Sequence, residues 1–221
     1  MRHISPTLPT LPGAAPGFLG LVLVAAALAL PVPARAQGEI ESLVQWVRAT
    51  GDNQGAAFAV VDKKGARVHL FDAGGKERAS APILLGLARG DDSVPGIGER
   101  PMAQIRPEER TTPAGRFASE PGRNLKGEDI VWVDYDAAVS MHRVRATNPA
   151  ERRLERLATP GVEDNRISYG CINVPAAFYD AHVKPTLGAH RGVVYVLPET
   201  RPLAAVFGLG TRVAATPAAQ R

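Results

Sequence analysis

The chain has a single cysteine, Cys171, among 221 residues. One thiol cannot close an internal disulfide, and no C-x-x-C pair or resolving cysteine is present, which argues against a dithiol redox role. Aromatic residues make up only 5% of the chain. Basic and acidic residues are interspersed, with no lysine-rich block and no aromatic–basic interleaving, so nucleic acid is not expected as a partner. No histidine pair stands at standard ligand spacing, so a metal is not expected. No acidic residue precedes Glu39, and no apolar run approaches the about 20 residues that a membrane-spanning helix needs.

What the N-terminal stretch does contain is ordered. Arg2 and His3 are followed by an apolar run of 13 residues, Phe18 to Leu30, and then by Pro31, Pro33 and Ala34-Arg35-Ala36. A positive start, an apolar core and an A-x-A site together read as a secretory signal peptide, residues 1–36, cleaved after Ala36. Removing 36 of 221 residues leaves 185, with 24 basic and 22 acidic side chains and a net charge of +2. That length suits one compact domain. The expected location is across the inner membrane, in the periplasm or cell wall, with no stable membrane span once the signal is gone. In such a compartment a lone thiol is informative. It is a buried inert group, an intermolecular bridge or a reactive nucleophile, and composition leaves these open.

Periodicity supplies the elements. Ile40, Leu43, Val44 and Val47 lie at helical spacing, which predicts a short amphipathic helix from Glu39 to Thr50, within an N-terminal helical segment of residues 37–54. Phe58 to Val61 and Arg67 to Phe71 flank Asp62-Lys63-Lys64-Gly65, which predicts a hairpin with Gly65 at positive φ. Pro82 to Leu87 is a further apolar segment, and Thr111 to Phe117 is a loop entering a strand. Asp129 to Tyr135 and Ala137 to Val144 read as a second strand pair. Asn148-Pro149-Ala150-Glu151 has an N-cap, Pro at the first helical position and a capping-box Glu, opening a helix through Leu157. Its expected apolar stripe is Leu154 and Leu157, with Arg152, Arg153 and Arg156 on the solvent face. Arg166 to Ser168 resumes extended structure, Val174-Pro175 opens another helix through Val183, and Gly192 to Leu197 is a terminal strand. Residues 201–221 read as a loose tail. Trp46 and Trp132 are expected in the core. The sum is a mostly β domain over residues 55–200, its strands too close together for βαβ units.

The chemistry is expected around Ser168-Tyr169-Gly170-Cys171-Ile172-Asn173. Gly170 permits a sharp turn. If the helix near Val174 begins one turn after Cys171, its free N–H groups and dipole favour a thiolate and offer oxyanion donors. A nucleophilic cysteine needs a base. Four histidines remain after the signal: His69, His142, His182 and His190. Taken alone, none is distinguished. His142 shares a strand face with Ser140 and Val144, opposite Val139, Met141 and Arg143.

These residues resemble the YkuD-type L,D-transpeptidase catalytic domain. Its signature is a histidine near a strand end, then Ser/Thr-His-Gly-Cys, an apolar residue, and Asn or Arg. Ser168, Gly170, Cys171 and Asn173 fall on signature positions, and His142 takes the place of the upstream histidine. Thr112-Pro113-Ala114-Gly115-Arg116-Phe117 matches the family's TPAGRF-like loop. The hairpin at Ala57 to Phe71 looks like its first strands, and Val193 to Pro198 looks like its closing strand. Two departures stand out: Tyr169 replaces a second histidine, and the gap from His142 to Ser168 is lengthened by the Asn148–Leu157 helix.

The resemblance implies a β-sandwich or barrel with a few short flanking helices and no cofactor. It implies that Cys171 attacks a peptidoglycan stem peptide at the carbonyl before its terminal D-Ala, with His142 as base. A neighbouring stem amine then captures the thioester, and carbapenem-type compounds are expected inhibitors. Gly170, Tyr169, Ser168, Asn173 and Arg116 are the candidate oxyanion or substrate-binding residues. Each has a plain alternative: a backbone-satisfied hydroxyl for Ser168, a helix cap for Asn173, a solvated side chain for Arg116. Two other functions stay open, an L,D-carboxypeptidase or other hydrolase on the same scaffold, and a catalytically silent peptidoglycan-binding module.

Overall fold

The computed structural model describes residues 34–209. Residues 1–33, with most of the expected signal segment, and residues 210–221 lie outside the described residues. Helix α1 runs Ala34–Thr50, beginning inside the Ala34-Arg35-Ala36 site rather than at Glu39. It stops where Gly51, at φ 66, donates its N–H to the Val47 carbonyl at 2.8 Å, a left-handed cap that suits glycine. Ten strands and three further helices follow: β1 Phe58–Asp62, β2 Arg67–Phe71, β3 Glu77–Pro82, β4 Leu85–Gly86, β5 Gly115–Arg123, β6 Asp129–Asp134, β7 Val139–Arg143, α2 Arg153–Ala158, β8 Arg166–Ser168, β9 Ile172–Val174, α3 Ala176–Phe178, β10 Gly192–Val196 and α4 Leu203–Phe207. The protein is mostly β, with short flanking helices.

Eight strands form one sheet in the order β3-β2-β1-β10-β5-β6-β7-β9. The last strand, β10, inserts beside β1 in parallel, and β9 pairs in parallel with β7. Chain leaving β3 then reaches the opposite edge: the Leu84 and Asn173 backbones exchange two hydrogen bonds, each 2.9 Å. The sheet therefore curls into a nearly closed barrel, which leaves few unpaired edges.

Strand alternation divides the core. Ala59 and Val61 of β1, with Val194 and Val196 of β10, face the interior with Met141 and Ile172. Phe58, Val60, Val193 and Tyr195 face the other way and are covered by Ile40, Leu43, Val44 and Val47 of α1. Strands buried on both faces read as continuous apolar runs, which is why β1 and β10 are Val-rich.

Several expectations are corrected. Ala66, not Gly65, takes the left-handed conformation in the first hairpin, at φ 47. At Gly65 the constraint is space, since a Cβ there would lie 2.3 Å from Asp62 Oδ2. The Asn148–Leu157 helix is broken: Pro149–Glu151 forms a 3-10 turn capped by Asn148, and Arg152 at φ 49 separates it from α2. The expected tail begins with α4, whose Phe207 packs edge-on to Tyr195. Strand β3 was not expected, because its exposed polar residues carry no apolar alternation.

Candidate active site

Strand β7 delivers His142, the candidate base, and β9 follows directly from Cys171, the candidate nucleophile. In their parallel register His142 lies opposite Asn173 and Met141 opposite Ile172. Val139 and Met141 are buried in the interior, so alternation turns Ser140 and His142 to the other face, where His142 lines the cleft and Ser140 meets the Cys171 sulfur. Cys171 is half-buried and free. Its sulfur lies 3.7 Å from Ser140 Oγ and 3.7 Å from the Ala138 carbonyl. Cys171 and His142 line one cleft of about 320 Å³.

Electrostatics single out the same pair. Burial pushes the Cys171 thiol up, but the His142 hydrogen bond and charge, together with Ser140, pull it further down, and the net shift is below the ordinary thiol value. The His142 Nδ1 atom sits 2.8 Å from the Arg143 carbonyl. A carbonyl only accepts, so Nδ1 carries the proton and Nε2 is left as the basic nitrogen.

The thiol owes nothing to a helix N-terminus. Cys171 leads into β9, and α3 starts only at Ala176, because Ile172 and Val174 are needed as buried strand residues against β7. The expected dipole contribution is therefore replaced by the imidazole. Nor is Asn173 a helix cap. It is a buried residue of β9 whose Nδ2 donates to the Cys171 carbonyl at 3.0 Å.

Two more side chains fix the turn that carries the thiol. Ser168 Oγ donates to the Cys171 carbonyl at 2.7 Å and accepts from the Gly170 N–H at 3.1 Å. Thr112, fully buried, donates from Oγ1 to the Gly170 carbonyl at 2.8 Å and accepts from the Gly86 N–H at 2.9 Å. Gly170 itself stands at φ 128, and a Cβ there would lie 2.8 Å from the Thr111 carbonyl oxygen. Only glycine allows that approach. Tyr169 is half-buried, with the Arg110 guanidinium 3.9 Å above its ring and that guanidinium anchored on the Ile105 carbonyl.

Arg116 is not brought to the site. Its guanidinium is held by Asp52, with Nη2 donating to the Asp52 carbonyl at 2.8 Å, and Tyr195 bonds the same Asp52 side chain. The start of β5 lies beside β10 rather than beside β9, so the expected contact with a substrate carboxylate is not available. Arg153 was expected in solvent and instead lines the cleft with only 14% of its side chain exposed. Its helical neighbour Leu154, expected in the core, is exposed. Trp132 is not fully buried either but stacks on exposed Tyr135 with centroids 4.9 Å apart; Trp46 packs partly buried beside the α1 core.

Ser140, Thr112, Arg110 and Arg153 are the site residues that the sequence reading did not single out. Ser140 had a signal, two residues before His142 on one strand face. Thr112 had a weaker one, in the loop motif itself. Arg110 and Arg153 had none, since tertiary contacts alone bring them in. Among the described residues no group of three or more His, Cys, Asp or Glu is placed to hold a metal, and no helix is long and apolar enough to cross a membrane.

No protein-family model and no curated protein matches this chain. Solved structures that resemble it include an L,D-transpeptidase in complex with imipenem, 16% identical, covering 64% of this chain and 59% of that one with a TM-score of 0.36. Another is the helical cell shape determining protein Pgp2 from Campylobacter jejuni, 14% identical over 74% of this chain and 57% of that one, TM-score 0.43. A third is the catalytic domain of the E. faecium L,D-transpeptidase, 17% identical over 65% of this chain and 98% of that one, TM-score 0.35. The chain thus spans under two thirds of the length of the first two. At such distance these are likenesses of fold, and the residues of the cleft carry the chemical reading.

Proposed function

We propose that the protein is an exported cysteine acyltransferase, an L,D-transpeptidase acting on peptidoglycan stem peptides. The observation that supports this most is the pairing of a half-buried thiol with an imidazole that lowers its pKa, in an open cleft. An inert structural cysteine is expected to have a raised pKa from burial and no base beside it.

Under this reading His142 Nε2 takes the Cys171 proton as the sulfur attacks the carbonyl preceding the terminal D-Ala. The Cys171 N–H, which lies outside both neighbouring strands, is the candidate donor to the oxyanion. The tetrahedral intermediate collapses, the departing amine takes the proton from His142, and the acyl group stays on sulfur as a thioester. A stem side-chain amine then gives its proton to His142, attacks the thioester and releases the thiol. Oxyanion donors and general acid–base help each contribute a factor of roughly 100 or more. Tyr169 cannot supply an imidazole, so a single histidine serves both half-reactions.

Water in place of the amine would make the protein an L,D-carboxypeptidase. The acceptor is decided by incubating the mature protein with tetrapeptide muropeptides and weighing the products. Cross-linked dimers lacking D-Ala are the expected result, tripeptide monomers alone would indicate hydrolysis, and unchanged substrate would indicate a binding module. The location reading is tested by N-terminal sequencing of the exported protein, which should begin at Gln37.

A further inference from the structure

We propose that Arg153, delivered by the segment between β7 and β8, is the specificity-determining residue of the cleft and binds a ligand carboxylate next to Cys171. On the acyl-transfer reading above, on which the substrate assignment rests, that carboxylate belongs to the acyl donor.

Two arginines line the cleft, and they differ in what they have left to offer. Arg145 is paired with Glu128 across the β6–β7 end. Arg153 bonds Glu151 through Nε and donates from Nη1 to Asn173 Oδ1 at 2.7 Å. Its Nη2 makes no hydrogen bond among the described residues, and Nη1 keeps a second hydrogen. The outer edge of the guanidinium, two parallel N–H groups, is the geometry that takes a carboxylate bidentately. Glu151 is the one carboxylate lining the cleft, and its pairing with Nε blunts its repulsion of an incoming anion.

Location strengthens the assignment. Holding a long side chain in one rotamer costs entropy, and here Glu151 and Asn173 have met that cost before any ligand arrives. Asn173 bridges the two functions, with Oδ1 accepting from Arg153 and Nδ2 donating to the Cys171 carbonyl. An anion on Arg153 is therefore separated by one side chain from the turn that carries the thiol. Exposed Leu154 beside inward-turned Arg153 shows that α2 gives its arginine, not its leucine, to the fold. A neutral ligand leaves the guanidinium edge unfilled, which is the basis of discrimination.

The test uses two alkylating agents that react with Cys171 by the same displacement of iodide and differ in charge. Rates of alkylation by iodoacetate and iodoacetamide are measured on the full mature chain, on Arg153→Gln and on Arg153→Lys. The iodoacetate-to-iodoacetamide rate ratio should fall about tenfold in Arg153→Gln, the loss of one charge-assisted contact. Arg153→Lys should retain part of it as a point charge, and in both variants the iodoacetamide rate should change less than the iodoacetate rate. An unchanged ratio, or an equal fall in both rates, would reduce Arg153 to a brace for Asn173 and overturn the proposal. Calorimetry on Cys171→Ala with a stem tetrapeptide and with its C-terminal amide separates the two readings. Weaker binding of the amide supports both. A fallen iodoacetate ratio with no binding of either peptide keeps the anion site and removes the peptidoglycan assignment.

Discussion

A single proton position organises the cleft. The Arg143 carbonyl holds His142 by Nδ1, and the opposite nitrogen is then the one free to accept from sulfur. His142→Ala should raise the midpoint of the pH–rate profile for Cys171 alkylation, because burial would then be opposed by Ser140 alone. In the wild type the rate should climb at lower pH than for an ordinary thiol; an unmoved midpoint in the variant would remove His142 from the role of base. Gly170→Ala should be costly in a different currency. Positive φ strains an alanine by about 1–3 kcal/mol, and the Thr111 carbonyl must move as well. The expected outcome is a lower thermal midpoint together with slowed alkylation, read by calorimetry and thiol titration. At this scale the sequence was readable where chemistry is local. Cys171 could be singled out as a candidate because it is the one thiol in the sequence, and His142 through the resemblance alone. Arg153 could not, because its inward turn depends on Asn173, twenty positions away in the chain and adjacent only after β9 pairs with β7.

Between elements, a buried charge cluster does what the local pattern cannot. Lys63 is fully buried and donates to Asp91 at 2.8 Å and to the Thr112 carbonyl at 3.0 Å. Asp91 also accepts from the backbone of Glu199, Thr200 and Arg201, tying down the chain that leads into α4. The cluster thus reaches the turn that carries Cys171 through Thr112, whose hydroxyl holds the Gly170 carbonyl. Breaking a buried pair costs about 3–5 kcal/mol, since the remaining charge is uncompensated. Asp91→Asn should lose a figure of this order in urea unfolding. Its partners hold the Asp91 carboxyl far below the usual range. The stabilisation is thus fully present above the unfolded value of about 3.9 and is lost as pH falls through the folded one. The gap between wild type and variant should accordingly narrow in acid, and a gap that widened below pH 4 would contradict the assignment. On the outer face, Leu43→Ala in α1 should cost about 2–5 kcal/mol, because Leu43 is fully buried against β1 and β10. Strands β1, β2, β6, β7 and β10 were legible from apolar, β-branched runs and the turn residues between them. Strand β9 was not legible, because three residues are too few to show a period, and Val174-Pro175 placed the following helix two residues too early.

Across the molecule, the barrel is closed by pairings that no local pattern announces. β10 joins β1 across most of the chain, and Leu84 meets Asn173 from the opposite edge. That closure sets the loop between β8 and β9 against β7, and so brings the lone thiol to the lone histidine of β7. The mostly β class followed from strand density, whereas the order of strands required the folded chain. The central claim, that Cys171 is an acylating nucleophile, is tested most directly by the intact mass of the protein after incubation with a carbapenem. One covalent adduct on the wild type and none on Cys171→Ala is the expected result. An adduct that persists on Cys171→Ala, or a wild type that stays unmodified, would contradict it.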